Sequence, residues 1–179
     1  MRYRRERMAG GCYFFTVVTH DRQPVLTLTG NIERLRESFR REKQNHPYEI
    51  DAMVVLPEHL HCLWQLPEGD TDYSGRWGRI KRYFSAGCCG VNSPVSASRT
   101  AKREYAVWQR RFWEHRIRDD EDWRRHMDYV HYNPVKHGYA DAPCEWPYSS
   151  FKRCVQQGLY EQNWGTNGAV VMGDIEAGE

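Results

Sequence analysis

Two residues, Pro57 and Glu58, separate two stretches that alternate in polarity, Tyr48 to Leu56 and His59 to Leu66. A link that short cannot carry the chain across a sheet, so the two stretches must pair antiparallel as a hairpin. In the first, Ile50, Ala52, Val54 and Leu56 fall on one side. In the second, the strand period of two puts His59 and His61 on one face and Leu60, Cys62, Trp64 and Leu66 on the other. Two imidazoles aimed the same way by a stiff strand can share one divalent cation, each neutral ring offering a lone pair. On this pattern in isolation, two unrelated histidines on a half-exposed strand are the more ordinary reading.

Around this hairpin the chain spells out the rest of a small domain. Cys12 to Thr19 is rich in aromatic and β-branched residues and reads as a strand buried on both faces. Ile32, Leu35 and Phe39 recur at helical spacing, which predicts an amphipathic helix over Asn31 to Asn45, with Asn31 as its cap and His46-Pro47 as its end. A second helix runs from Ser74 to about Ala86 on a stripe of Trp77, Ile80 and Phe84, and Arg76, Arg79, Lys81 and Arg82 line its other side. Residues 87–105 read as a flexible loop. Val107 to His115 then resumes an aromatic run as a fourth strand or strand-like hairpin, and Asp119 to Asp122 opens a last helix. The order is βαββαβ followed by one more helix.

Charge is distributed unevenly. The chain of 179 residues has a formal charge of only +2, but residues 1–154 hold all 26 Lys and Arg and 20 of the 24 Asp and Glu. The predicted organisation is therefore one basic domain, 1–154, opened by a basic arm, 1–11, and followed by an acidic tail, 155–179. Such a body, with 11 Tyr, 7 Trp and 6 Phe, suits nucleic acid, since cations neutralise phosphate and flat rings stack on bases. The six cysteines form no C-x-x-C pair, which argues against a thiolate zinc site and for a reducing cytoplasm. No stretch is apolar enough for a membrane span.

In the last helix, Trp123, Met127 and Val130 share one face, whereas Tyr129 lies on a neighbouring row with Asp122, His126 and Asn133. Its hydroxyl is placed to project into a site beside the sheet, although a tyrosine flanking a core stripe is more often structural. Pro134 is expected to put Asn133 at the helix end.

His59-x-His61 on a strand, followed by His126-Met-Asp-Tyr129-Val-His-Tyr-Asn133-Pro134-Val-Lys136-His137-Gly138, resembles the REP-associated tyrosine transposases, a branch of the single-tyrosine HUH transposases. The phrases Val54-Val-Leu-Pro-Glu-His-Leu-His61, Leu66-Pro-Glu-Gly69, Phe112-Trp-Glu-His115 and Trp146-Pro-Tyr-Ser-Ser-Phe151 extend the resemblance over residues 3–165. It implies an α+β, ferredoxin-like (RRM-like) antiparallel sheet with two helices on one face and the active site, with its tyrosine helix, on the other. It further implies Tyr129 as nucleophile, His59, His61 and Asn133 as ligands of one Mg²⁺ or Mn²⁺, and single-stranded DNA bearing REP hairpins as substrate, cut through a 5′-phosphotyrosine. Arg4 and Arg5 of the arm, Arg79 and Arg82 of the second helix, and Arg110, Arg111 and Trp113 of the fourth segment are the expected hairpin contacts. Monomer and dimer both fit. A non-catalytic RRM-like hairpin-binding module and a metal-dependent hydrolytic nuclease are the competing readings. No residue stands out as proton acceptor for Tyr129.

Overall fold

Strand β1 (Cys12–Val18) has an aromatic or β-branched residue at every position but the first, and all of these are buried. A strand apolar on both faces needs cover on both. In the computed structural model, which describes residues 9–90, 107–166, 175, 177 and 178, β1 is an inner strand of a four-stranded sheet. It pairs antiparallel with β3 (His59–Gln65) and with β4 (Trp113–Arg116), and β2 (Glu49–Val55) pairs antiparallel with β3, giving the order β2-β3-β1-β4. Helices α1 (Asn31–Asn45) and α2 (Tyr73–Ser85) cover one face, and α3 (Asp120–Lys136) covers the other. The α+β arrangement read from the sequence is the one observed.

The two faces have different chemistry. Toward α1 and α2, Phe15, Leu60, Cys62 and Trp64 meet Leu35, Phe39, Trp77 and Ile80. Trp64 stacks on Trp77 with ring centroids 4.4 Å apart and planes 16° from parallel, and Tyr48 closes on Trp64 at 4.5 Å. Toward α3 lie Phe14, Ala52, Val54 and Leu63, interrupted by the polar Thr16, His59 and His61. Each face of β3 is thus the one its alternation predicts.

Several local expectations are corrected. Asn31 does not cap α1. Gly30 occupies the cap position with φ +84°, and the Asn31 amide instead donates to the carbonyls of Val25 and Cys89 and accepts from the Cys89 N–H, pinning the start of α1 to the chain leaving α2. Ile50 does not share a side with Ala52 and Val54, because a register shift between Ile50 and Ala52 turns it toward the α1 side. One extra residue in a bulge reverses the faces on either side of it.

Arg76, expected on a solvated helix side, is buried. Its guanidinium donates to the carbonyls of His46, Asp72 and Pro47 and pairs with Asp70 at 2.6 Å. The fourth strand spans only Trp113–Arg116 instead of all of Val107 to His115. Trp108 bridges Thr19 while Trp113 faces Thr16, so four residues on one strand oppose two on the other, and Arg110 and Arg111 bulge out exposed.

The boundary expected at residue 154 falls inside a further helix, α4 (Phe151–Gln156). Beyond it Tyr160 stays packed on α3, its hydroxyl donating to Asp128 at 2.7 Å. Of the expected loop 87–105, only residues 87–90 are among those described. All six cysteines are thiols, and among the described residues no helix is long and apolar enough to cross a membrane.

Candidate active site

Strand register sets the first element of the site. His61 lies opposite Thr16, and its Nδ1 is 2.8 Å from the threonine hydroxyl. The Nδ1 of His59 is 3.0 Å from one carboxylate oxygen of Glu58, whose other oxygen accepts from the Tyr139 hydroxyl at 3.2 Å. Both rings are fully buried, with centroids 4.8 Å apart and planes at 79°. Hydrogen bonds at Nδ1 orient an imidazole and leave Nε2 as the nitrogen that can ligate, the arrangement usual behind metal-bound histidines.

Helix α3 brings the second element. Asp119 caps it by accepting the Asp122 N–H at 2.8 Å, and the predicted row of Asp122, His126, Tyr129 and Asn133 is buried throughout. The Tyr129 ring stands edge-on to His61 at 5.3 Å and to Phe14 at 5.9 Å and is 4% exposed. The structure therefore brings Tyr129, His59 and His61 into one ring cluster. Asn133 lies one turn beyond Tyr129 on the same row, fully buried. The neighbouring Tyr132 turns elsewhere and packs against Trp164.

Contrary to expectation, α3 does not stop at Asn133 but runs through Pro134 to Lys136. Its end is held by a Schellman motif: Gly138, at φ +72°, donates to the Val135 carbonyl at 3.0 Å, and Tyr139 donates to the Pro134 carbonyl at 2.8 Å. Pro134 offers no N–H to the carbonyl four residues earlier, so the turn beyond it is held by these two bonds. The extra turn presents two residues of that motif to which the sequence assigned no role. Lys136 donates from Nζ to the Tyr129 hydroxyl at 3.1 Å, and the His137 ring lies 5.3 Å from that of His59. The i, i+7 spacing of Lys136 from Tyr129 was the available signal.

The expected DNA contacts are scattered. Arg4 and Arg5 lie outside the described residues. Arg79 sits on α2, beyond the sheet from the imidazoles, bound by both carboxylate oxygens of Glu42 at 3.0 and 3.1 Å; Arg82 is exposed on the same helix. Arg110 and Arg111 occupy the exposed bulge before β4, and Trp113 joins the Tyr129 side of the sheet. There the backbone at Gly178 lies so close that an added Cβ would come within 2.6 Å of Trp113, and Ala177 is buried in the cluster containing Tyr129.

A second group on this face drew no notice in the sequence. Ligand atoms of His115, Asp122 and His126 lie within 4.8 Å of one another. The Asp122 carboxylate already accepts from His115 Nε2 at 2.9 Å and from the Arg118 backbone N–H at 3.1 Å, and His126 Nδ1 lies 2.8 Å from the Asp122 carbonyl. These bonds tie β4 to the first turn of the tyrosine helix. Burial would raise the Asp122 pKa, but the His115 hydrogen bond, the Arg118 N–H and the nearby imidazoles outweigh it and bring it down to about 2. A carboxylate with a depressed folded pKa stabilises the fold above its unfolded value and loses that contribution as pH falls through the folded one. Between about pH 4 and pH 2 the native protein should lose roughly 2 kcal/mol through this group alone. Urea titrations across that window should show the loss in wild type and a shallower one in Asp122→Asn; equal slopes would show that Asp122 is not the group responsible.

No family model matches the chain. It is 44% identical over 99% of its length to the REP-associated tyrosine transposase of Escherichia coli (strain K12), covering 96% of that protein. It is 43% identical over 97% of its length to the "Putative REP-associated tyrosine transposase" of Haemophilus influenzae (strain ATCC 51907 / DSM 11121 / KW20 / Rd), covering 98% of it. Among solved structures, a REP-associated tyrosine transposase bound to a REP hairpin superposes with a TM-score of 0.82 at 42% identity, over 100% of this chain and 97% of that one.

Proposed function

The chain belongs to the REP-associated tyrosine transposases, and from that membership we propose that it cuts and rejoins single-stranded DNA beside REP-type hairpins, with Tyr129 as the nucleophile. One observation carries the reading: the Tyr129 ring packs against an imidazole of the His-x-His strand at 5.3 Å, so a phosphate held at those rings is within reach of the phenol.

The chemistry follows from the groups present. The phenol oxygen bonds to phosphorus, the bond to the 3′ oxygen breaks, and the products are a 5′-phosphotyrosine and a 3′-hydroxyl. The new ester keeps the energy of the broken one, so a second 3′-hydroxyl can attack it and join strands without a further energy source. His59 and His61 offer two oriented nitrogens and Asn133 an amide oxygen, a donor set that Mg²⁺ or Mn²⁺ can accept alongside phosphate oxygens. A bound ion of this kind would withdraw charge from the phosphate and stabilise the departing oxygen.

On this reading Arg110, Arg111 and Trp113, at the β4 edge of the active face, contact the hairpin together with the arm residues Arg4 and Arg5. Arg79 is engaged by Glu42 and stays with the scaffold. Incubating the protein with end-labelled hairpin DNA and Mn²⁺ should give a covalent complex on denaturing gels. After trypsin, peptide 126–136 should carry the nucleotide on Tyr129 and not on Tyr132. Cleavage without an attached peptide would leave a water-using nuclease, and hairpin binding without cleavage would leave a binding module.

A further inference from the structure

The phenol hydroxyl of Tyr129 is not left to solvent. Lys136 lies two helical turns further along α3, and its side chain leans back toward the helix N-terminus, the direction long helical side chains take. Its Nζ is 3.1 Å from the hydroxyl oxygen and 4.8 Å from the ring centroid, so the ammonium sits at the oxygen end of the phenol instead of over its face. The backbone that carries it is held by the hydrogen bonds around Gly138. From other elements, Phe14 of β1 and His61 of β3 make ring contacts with Tyr129.

We propose that Lys136 is a catalytic residue of the strand-transfer reaction: it holds the phenol oxygen in place and supplies the positive charge that offsets the negative charge developing there. The inference rests on the nucleophilic role of Tyr129 proposed above. As the oxygen–phosphorus bond forms, the phenol proton passes to water and electron density builds on the attacking oxygen. The ammonium is already hydrogen-bonded to that atom and keeps its own protons. As the bond to the 3′ oxygen breaks, that oxygen takes a proton from water. In the reverse step the same ammonium stabilises the phenoxide as leaving group. A donor fixed beforehand at the atom where charge develops acts on the transition state more than on binding.

The test separates rate from affinity. Full-length protein is given a saturating labelled hairpin and Mn²⁺, and formation of the covalent complex is followed in a single turnover, with hairpin Kd measured in parallel. Lys136→Met should slow adduct formation by about 10²-fold or more, the loss seen when one such donor is removed, while Kd changes less than about 3-fold. Lys136→Arg, which keeps the charge, should recover most of the rate. An unchanged rate at saturation in Lys136→Met would overturn the inference, and a weaker Kd as its sole effect would make Lys136 a phosphate-binding cation instead. Lys136 is exposed, so the fold should survive, and Lys136→Gln provides a second uncharged variant to the same end. If wild type forms no covalent complex at all, the role of Tyr129 fails first, an outcome distinct from equal rates in wild type and variant.

Discussion

Tyr129→Phe should abolish the covalent protein–DNA complex and lower strand cleavage by about 10⁴-fold or more, the scale seen when a covalent nucleophile is deleted. The substitution removes one oxygen and keeps the ring. The edge contacts to His61 and Phe14 depend on the ring, so the cluster should hold. The hydroxyl accepts a hydrogen bond from Lys136, whose loss costs about 1 kcal/mol of stability. A folded variant that binds hairpin and forms no adduct is the expected result. Cleavage that survived would mean that water attacks directly, and the tyrosine would then be structural. The neighbouring Tyr132, packed on Trp164, is the natural control. Tyr132→Phe should retain the adduct.

His61→Ala should remove metal-dependent cleavage altogether, an effect larger than the roughly 10–100-fold lost when a supporting hydrogen bond behind a metal ligand is cut. The reason is geometric. Thr16 holds the His61 ring, Glu58 holds the His59 ring, and the two ring centroids lie 4.8 Å apart. Removing one leaves a single fixed nitrogen, too little to retain a weakly binding ion. Mn²⁺ binding followed by the EPR signal of the unbound ion distinguishes this pair from the His115, Asp122 and His126 group on the same face. Binding should disappear in His61→Ala and persist in His126→Ala. The opposite pattern would place the cation at the second group, where the Asp122 carboxylate already accepts from His115 and Arg118.

Periodicity was sufficient wherever one regular element meets one neighbour. The alternation around His59 and His61 put both rings on one face, which the structure identifies as the α3 face, and the helical row of Asp122, His126, Tyr129 and Asn133 is the buried row. It failed where a side chain's partner lies far along the chain. Arg76 and Arg79 look alike on a helical wheel, yet Arg76 is buried against the carbonyls of His46 and Pro47 and Arg79 is bound by Glu42. Nothing local announces a guanidinium whose acceptors are some thirty residues away. It also failed at irregularities. The bulge that turns Ile50 over and the extra residues before Trp113 change faces without any change in composition.

The sequence by itself determined the strand pairing at Pro57-Glu58, the common face of the two imidazoles and the row that carries Tyr129, because each follows from a repeat set by backbone geometry within one element. Only the tertiary structure decided that tyrosine and imidazoles meet, that Thr16 and Glu58 hold the rings, and that Lys136 reaches the phenol oxygen. These are contacts between elements, fixed by sheet order, by helix docking and by the way α3 ends beyond a proline, and no period within a single segment encodes them.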